Sequence, residues 1–286
     1  MEKIVIEVGS TVTKVDSFDG ENINHIKSVT IAFKKNYKEN GNKLKKEDID
    51  KLIETVNETE KSNLFVCGTS IFRDLQDDER EKFLNYFKSK TGLDFNIISS
   101  EEENIYTVKG STKVVKEALI FVGGGGSTEM SYVKDGKIQK MANNNFGVMD
   151  VMHEFPDLSE DLATSKLEDV MKYIRQRIQV PNIQTDIMIL AGGGHGLFAR
   201  ESGVRYEKNS LYEDKNEPIM MDMATRIEDT KRYYTQISME EIKSRVEDPA
   251  WWFATRAMCA FVLVVAEKIG AKYIVPTDIS MIYGIV

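Results

Sequence analysis

Four consecutive glycines, Gly123 to Gly126, separate two stretches that read as strands. Ala118 to Val122 is a continuous apolar run, and Glu129 to Val133 is the return stretch. Glycine within a regular element costs about 0.5–1 kcal/mol relative to alanine, so neither a helix nor a strand passes through this run. A plain hairpin needs fewer glycines. The excess, followed by Ser127, Thr128 and Glu129, predicts a loop whose backbone amides approach an anion closely, the chemistry of a phosphate cradle. A purely structural turn is the competing reading.

The same order occurs earlier in the chain. Lys3 to Val8 alternates as a strand, Gly9-Ser10-Thr11 turns, and Val12, Lys14 and Asp16 mark a return run that reaches Asp19-Gly20. After the glycine run the return strand reaches Asp135-Gly136. Two such halves predict a duplicated α/β fold with a pseudo-twofold cleft and a boundary near residue 117, giving domains 1–117 and 118–286. Between the hairpins the pattern predicts a strand at Val29 to Phe33 and a helix from Lys46 through Val56. It continues with strand Leu64 to Cys67, helix Glu79 to Lys90 ending at Gly92, and strand Phe95 to Ile98. A helix over Glu101 to Lys109 takes Ser99 or Ser100 as its cap.

The second half predicts a long helix over Leu158 to Ile178 and a strand from Ile187 to Leu190 that enters Gly192-Gly193-Gly194. Helices follow at Met223 to Tyr233, Ser238 to Val246 and Pro249 to Gly270, the last expected to pack back on the first domain. Tyr273 to Val275 is a final strand, and the irregular stretch 201–221 reads as a loop.

Charge and composition exclude several classes. A formal net charge of −8 argues against a broad nucleic-acid face. The lysines Lys34, Lys35, Lys38, Lys43, Lys45 and Lys46 read either as a solvated helix face or as a basic lip for a polyanion. The apolar runs at 119–122 and 260–266 are too short for a membrane span. The chain enters a strand pattern at once with no leader, and Cys67 and Cys259 form neither a disulfide framework nor a metal motif. The expected location is the cytoplasm.

Three further segments carry chemistry. Ser99-Ser100-Glu101-Glu102-Glu103 starts a helix with carboxylates that suit the dipole, and one of them is a candidate general base. Arg73, in Cys67-Gly68-Thr69-Ser70-Ile71-Phe72-Arg73, can grip phosphate oxygens in a bidentate fashion or serve in a surface ion pair. Ala191 to Gly196 holds His195, for which the sequence places no partner; its glycines read mainly as packing, with a nucleotide base or ribose as the alternative ligand.

In this order the segments resemble the Ppx/GppA family of exopolyphosphatases and guanosine pentaphosphate phosphohydrolases, within the actin, sugar kinase and Hsp70-like superfamily. The resemblance runs over nearly the whole chain. Ile6-Glu7-Val8-Gly9-Ser10 resembles the family's first loop, and Gly68 to Arg73 its Thr-Ser-Ala-x-Arg segment. Ile98 to Glu103 resembles the stretch with its catalytic glutamate, and Gly124-Gly125-Gly126-Ser127-Thr128-Glu129 matches its second phosphate loop residue for residue. Asn145 to Met149, Ala254-Thr255-Arg256-Ala257 and Thr277-Asp278 to Gly284 resemble later segments.

The resemblance implies two ribonuclease H-like, actin-like ATPase domains with an interdomain cleft, and release of terminal phosphate from polyphosphate or pppGpp. It puts the base on Glu103 and phosphate binding on Gly9, Ser10, Thr11, Lys14, Arg73, Gly124, Gly125, Gly126, Ser127 and Thr128. Glu7 and Glu129 become ligands for Mg²⁺, and the partners become polyphosphate or a guanosine or adenosine polyphosphate. A homodimer is left open.

Departures are also visible. Glu7 stands where the family has aspartate, Val122 where it has a second, Lys14 where arginine is common, and Gly194 where threonine is usual. The chain reads as a short form without the C-terminal helical domain, and it lacks a His-Asp sequence pair. Two alternatives stay open: a phosphate-binding protein with weakened catalysis, and an ATPase of the dehydratase-activator type. The latter would need neighbouring cysteines for an iron–sulfur cluster.

Overall fold

The computed structural model describes residues 2–20, 23–111, 117–192, 220–244, 249–277 and 279–286. The chain divides into two compact units, Met1–Glu103 with Val286, and Asn104–Ile285.

In the first unit β1 (Lys3–Val8), β2 (Val12–Phe18) and β3 (Ile23–Thr30) form an antiparallel meander. β4 (Leu64–Gly68) pairs parallel to β1, and β5 (Asn96–Ile97) parallel to β4, so the sheet order is β3-β2-β1-β4-β5. The helices are α1 (Phe33–Glu39), α2 (Lys46–Asn57), α3 (Asp77–Thr91) and α4 (Ser100–Ser111), and the division between the units falls inside α4. Asp77, Asp78 and Glu79 open α3 in accord with its dipole, and Gly92 closes it at φ 77°. Ile4, Ile6 and Val8 of β1 join Leu52 and Val56 of α2 and Phe83 and Phe87 of α3 in one core.

The second unit repeats the plan. β6 (Glu117–Gly123), β7 (Thr128–Lys134) and β8 (Lys137–Asn144) form the meander, and β9 (Ile187–Ala191) and β11 (Tyr273–Pro276) add in parallel. A short antiparallel β10 (Met221–Asp222) extends the edge, for the order β10-β11-β9-β6-β7-β8. The duplicated fold expected from the two glycine hairpins is therefore present. Asp135 and Gly136, at φ 50° and 72°, make the tight β7–β8 turn.

β6 is covered on both faces. Leu119 and Phe121 enter a core with α5 (Val148–Glu154), α6 (Leu167–Arg175) and α9 (Thr255–Ile269), while Ala118 and Ile120 enter another with Ile189 and Val275. The unit is completed by α7 (Met223–Thr235), α8 (Met239–Ser244) and α10 (Ile282–Ile285). No described helix is long and apolar enough to cross a membrane.

Three elements differ from the sequence expectation. The strand placed at Val29 to Phe33 ends at Thr30, and Phe33 opens α1. Ile31 N donates to Thr11 O and Lys34 N to Ser10 O, both at 3.0 Å, which turns the segment out of the sheet and onto the first loop. The long helix over Leu158 to Ile178 is shorter, because Asp157 accepts hydrogen bonds from the amides and hydroxyls of Thr164 and Ser165 at 2.6–2.9 Å. Those bonds close a turn that follows the short 3₁₀ helix Pro156–Ser159, and α6 starts only at Leu167. Pro249–Ala254 is a 3₁₀ turn, so the apolar helix starts at Thr255, and its buried side chains belong to the second unit's core. His195, Gly193, Gly194, Asp278 and residues 201–219 lie outside the described residues; Met221, the last residue of the stretch read as a loop, instead pairs with Ile274 as part of β10.

Candidate functional site

In the first unit the site residues gather where β1, β4 and β5 end. β1 and β2 pair as far as Val8 and Thr13, leaving the four-residue loop Gly9–Val12. Gly9 N donates to Val12 O at 3.0 Å, and a Cβ on Gly9 would meet that oxygen at 2.9 Å. The carbonyls of Ser10 and Thr11 are taken by the amides of Lys34 and Ile31. Ser10 is buried, and its Oγ has no hydrogen-bond partner among the described residues. Glu7 lies directly across from Lys14 in the β1–β2 register. Burial pushes the Glu7 carboxyl up, the positive charge of Lys14 opposes this, and Asp16 adds to it.

β4 delivers Arg73. Thr69 N donates to Val8 O at 3.2 Å, and a 3₁₀ turn, Ser70–Phe72, follows. Phe72 anchors that turn, with ring centroids 5.1 Å from Phe33, 5.2 Å from Phe83 and 4.8 Å from Phe95. Gly68 permits this approach, since a Cβ there would lie 2.5 Å from Phe95 and 2.7 Å from Phe72. Arg73 then donates to Glu103 Oε2 at 2.7 Å and to Ile98 O at 3.2 Å.

The three acids at the start of α4 are thereby told apart. Glu102 closes a capping box: its carboxylate accepts from the Ser99 amide at 2.9 Å, and its own amide donates to Ser99 Oγ at 3.1 Å. Glu101 is exposed. Glu103 is buried against Arg73, the two side chains being 9% and 13% exposed. The next residue, Asn104, accepts from Ser131 and donates to Asn143, each at 2.6 Å. Cys67 pairs in register with Glu7; burial, then the negative charges of Glu7 and Glu103, push its thiol well up, which removes it as a nucleophile.

In the second unit β6 and β7 pair as far as Gly123 and Thr128, again leaving a four-residue loop, Gly124–Ser127. Gly124 N donates to Ser127 O at 2.9 Å, as Gly9 does to Val12. Val148 N donates to Gly124 O at 3.0 Å and Met149 N to Gly125 O at 2.9 Å, as Lys34 does to Ser10. The two loops share one design. Gly124 stands where Gly9 stands, Glu129 where Lys14 stands, and Val122 where Glu7 stands. Val122 and the buried Glu129 face each other across the hairpin. Ser127 is buried, and Thr128 donates its hydroxyl to Phe146 O at 2.7 Å, which engages it with the backbone.

The expected site residues thus gather in two groups. Glu7, Gly9, Ser10, Thr11, Lys14, Arg73 and Glu103 belong to the first unit, and Gly124 to Glu129 to the second. Cys67 and Cys259 are buried, one in each unit. Glu7 Oε2 is a buried carboxylate oxygen that receives no hydrogen bond among the described residues, the kind of atom a hard cation takes; Val122 offers none. Among the described residues no three His, Cys, Asp or Glu side chains cluster as a cage.

Sequence reasoning missed three residues. Lys34, one of the lysines read as a solvated face or a basic lip, is buried at the first loop. Gly147 backs the second loop: a Cβ there would lie 2.6 Å from Gly124 O. Ser70 lies buried with φ 42°. All three stood inside segments already singled out, but residue type alone signals neither burial, close backbone approach nor backbone strain.

A model of the Ppx/GppA phosphatase family matches residues 25–246. None of the curated proteins matches the chain. Among solved structures, a Ppx/GppA family member from Aquifex aeolicus is similar at TM-score 0.74 and 19% identity, over 100% of this chain and 96% of that one. An exopolyphosphatase from Cytophaga hutchinsonii is similar at TM-score 0.78 and 13% identity, over 99% and 96%. An exopolyphosphatase-like protein is similar at TM-score 0.74 and 15% identity, over 100% and 98%. These likenesses establish the two-domain, actin-like fold.

Proposed function

Because the chain belongs to the Ppx/GppA phosphatase family, we propose that this phosphohydrolase releases terminal phosphate from inorganic polyphosphate or pppGpp. The exopolyphosphatases among its structural neighbours favour polyphosphate. The observation that carries the reading is the buried Arg73–Glu103 pair at the ends of β4 and β5. Of the three acids, Glu103 alone combines burial with a guanidinium partner.

The chemistry follows from that pairing. Phosphoryl oxygens compete for the Arg73 guanidinium, whose donors suit them. Arg73 then neutralises the phosphoryl charge, and Glu103 takes a proton from the attacking water. The water oxygen bonds to phosphorus while the bridging P–O bond breaks, and the shortened phosphate chain leaves with that electron pair. Ser10 and the first-loop amides offer donors to the same group. The second loop turns two carbonyls onto α5 and offers its amides to phosphate. Glu7 in the first unit and Glu129 in the second would each offer a carboxylate to Mg²⁺, which when bound supplies charge neutralisation on phosphate oxygens. Most of the catalysis is positioning and electrostatics.

The test is phosphate release from polyphosphate, pppGpp and ATP, with and without Mg²⁺. Glu103→Gln is expected to lose roughly 10²–10⁴ in rate while keeping its fold. Full release by this variant overturns the reading. The aliphatic Val122 opposite Glu129 favours a second reading, a binding protein with slow turnover; ligand-dependent melting of the wild type without phosphate release would support it.

A further inference from the structure

Ser70 carries two separate costs. Its backbone sits at φ 42°, in the left-handed region that only glycine enters freely. Its side chain is buried, 4% exposed, and Oγ has no hydrogen-bond partner among the described residues. A glycine would remove both costs. The apolar packing of this turn comes from Ile71 and Phe72, both buried, so core packing does not account for the hydroxyl.

Its position does. Ser70 O accepts from Arg73 N at 2.9 Å, so Ser70 opens the turn that presents Arg73. Thr69, just before it, is hydrogen-bonded to Val8, just before the first loop. Ser10 and Ser70 therefore lie on the connections leaving adjacent parallel strands, each with a buried hydroxyl that has no hydrogen-bond partner among the described residues. Carboxyl ends of parallel strands are where open α/β sheets bind ligands. Strained backbone and unsatisfied polar atoms persist where a ligand uses them.

We infer that Ser70 is a substrate-binding residue whose hydroxyl donates to an oxygen of the phosphoryl group held by Arg73. The inference rests on Arg73 and Glu103 forming the phosphoryl site. The phosphoryl oxygen satisfies the hydroxyl, and the left-handed backbone sets its direction.

Two variants separate the costs. Ser70→Ala removes the hydroxyl and keeps the strain; Ser70→Gly removes both. Melting is followed with and without inorganic phosphate, and phosphate release is followed with tripolyphosphate. Without ligand, Ser70→Gly is expected to melt a few degrees above wild type, about what relief of one strained residue allows. Both variants are expected to lose most of the phosphate-induced rise. The KM for tripolyphosphate should increase about 10- to 100-fold, the range for one hydrogen bond to a charged group.

If Ser70→Ala keeps the wild-type KM and phosphate-induced rise, the hydroxyl is structural, satisfied by a trapped water, and the inference is overturned. A wild type that shows no phosphate-induced rise overturns it too. If Ser70→Ala does not fold, Ser70→Gly carries both measurements. A wild type that binds phosphate through Ser70 but releases none from any substrate retires the hydrolase reading and leaves this inference standing.

Discussion

Gly147→Ala tests whether backbone contact holds the second loop in place. A Cβ at Gly147 would lie 2.6 Å from Gly124 O and 2.7 Å from the carbonyl carbon and oxygen of Gly125. All three are backbone atoms of the loop, which the amides of Val148 and Met149 hold at 3.0 and 2.9 Å. The φ of Gly147 is −136°, which alanine adopts without strain, so the contact accounts for the expected effect. Restoring van der Waals distance moves the loop by about 1 Å. Overpacking of this kind costs about 1–3 kcal/mol, and each kcal/mol lowers Tm by about 2–4 °C at this chain length. With the second loop in its proposed role as a phosphate cradle, a shift of that size costs about 10²-fold in rate.

The assay is kcat and KM for polyphosphate beside Tm, with Gly136→Ala as control. Gly136 has φ 72° and open space around it, so that variant loses stability through the backbone alone and keeps its kcat. Wild-type kcat in Gly147→Ala would refute the contact as the determinant of loop position. An equal loss of kcat in both variants would show that stability, not loop position, limits the rate.

Two other outcomes are expected. Arg256, fully buried, donates to the carbonyls of Tyr233, Leu158, Glu160, Asp161 and Ile237 at 2.7–3.1 Å, and its burial pushes its pKa down. Arg256→Lys leaves some of these carbonyls unpaired and should cost about 3–5 kcal/mol in denaturant unfolding; an unchanged midpoint sinks this account. Hydrogen bonds from the amide, then the hydroxyl, of Ser99 hold the Glu102 carboxyl below its ordinary 4.5. A carboxyl lowered in the folded state contributes stability that is full above the ordinary value and fades as pH falls through the folded one. Glu102→Ala should therefore melt modestly below wild type at pH 7, with a gap that narrows below pH 4.5. A gap that does not change with pH would exclude the capping role.

How much could be read without coordinates depended on whether a signal was local. Gly92 and Gly270 both end helices in the left-handed conformation, and Asp135-Gly136 makes its turn, because these needs lie within a few residues. Val29 to Phe33 misled because its apolar pattern suits a strand, whereas the hydrogen bonds that turn it away run from the Ile31 and Lys34 amides to the carbonyls of Thr11 and Ser10. Among Glu101, Glu102 and Glu103 the helix dipole favours all three alike, and only the family resemblance pointed to Glu103. Its partner Arg73 comes from a separate strand end.

The sequence by itself therefore determined the two glycine hairpins, the duplicated α/β plan and the family, since backbone freedom and strand alternation are properties of short segments. Tertiary structure alone decided that Glu103 meets Arg73, that Lys34 is buried and that Gly147 supports the loop. Burial, ion pairing and backbone approach join residues far apart in the chain, and no local pattern encodes them. The four-glycine run announced a hairpin loop; its match to Gly9–Val12, with Val122 and Glu129 where Glu7 and Lys14 stand, came from strand register.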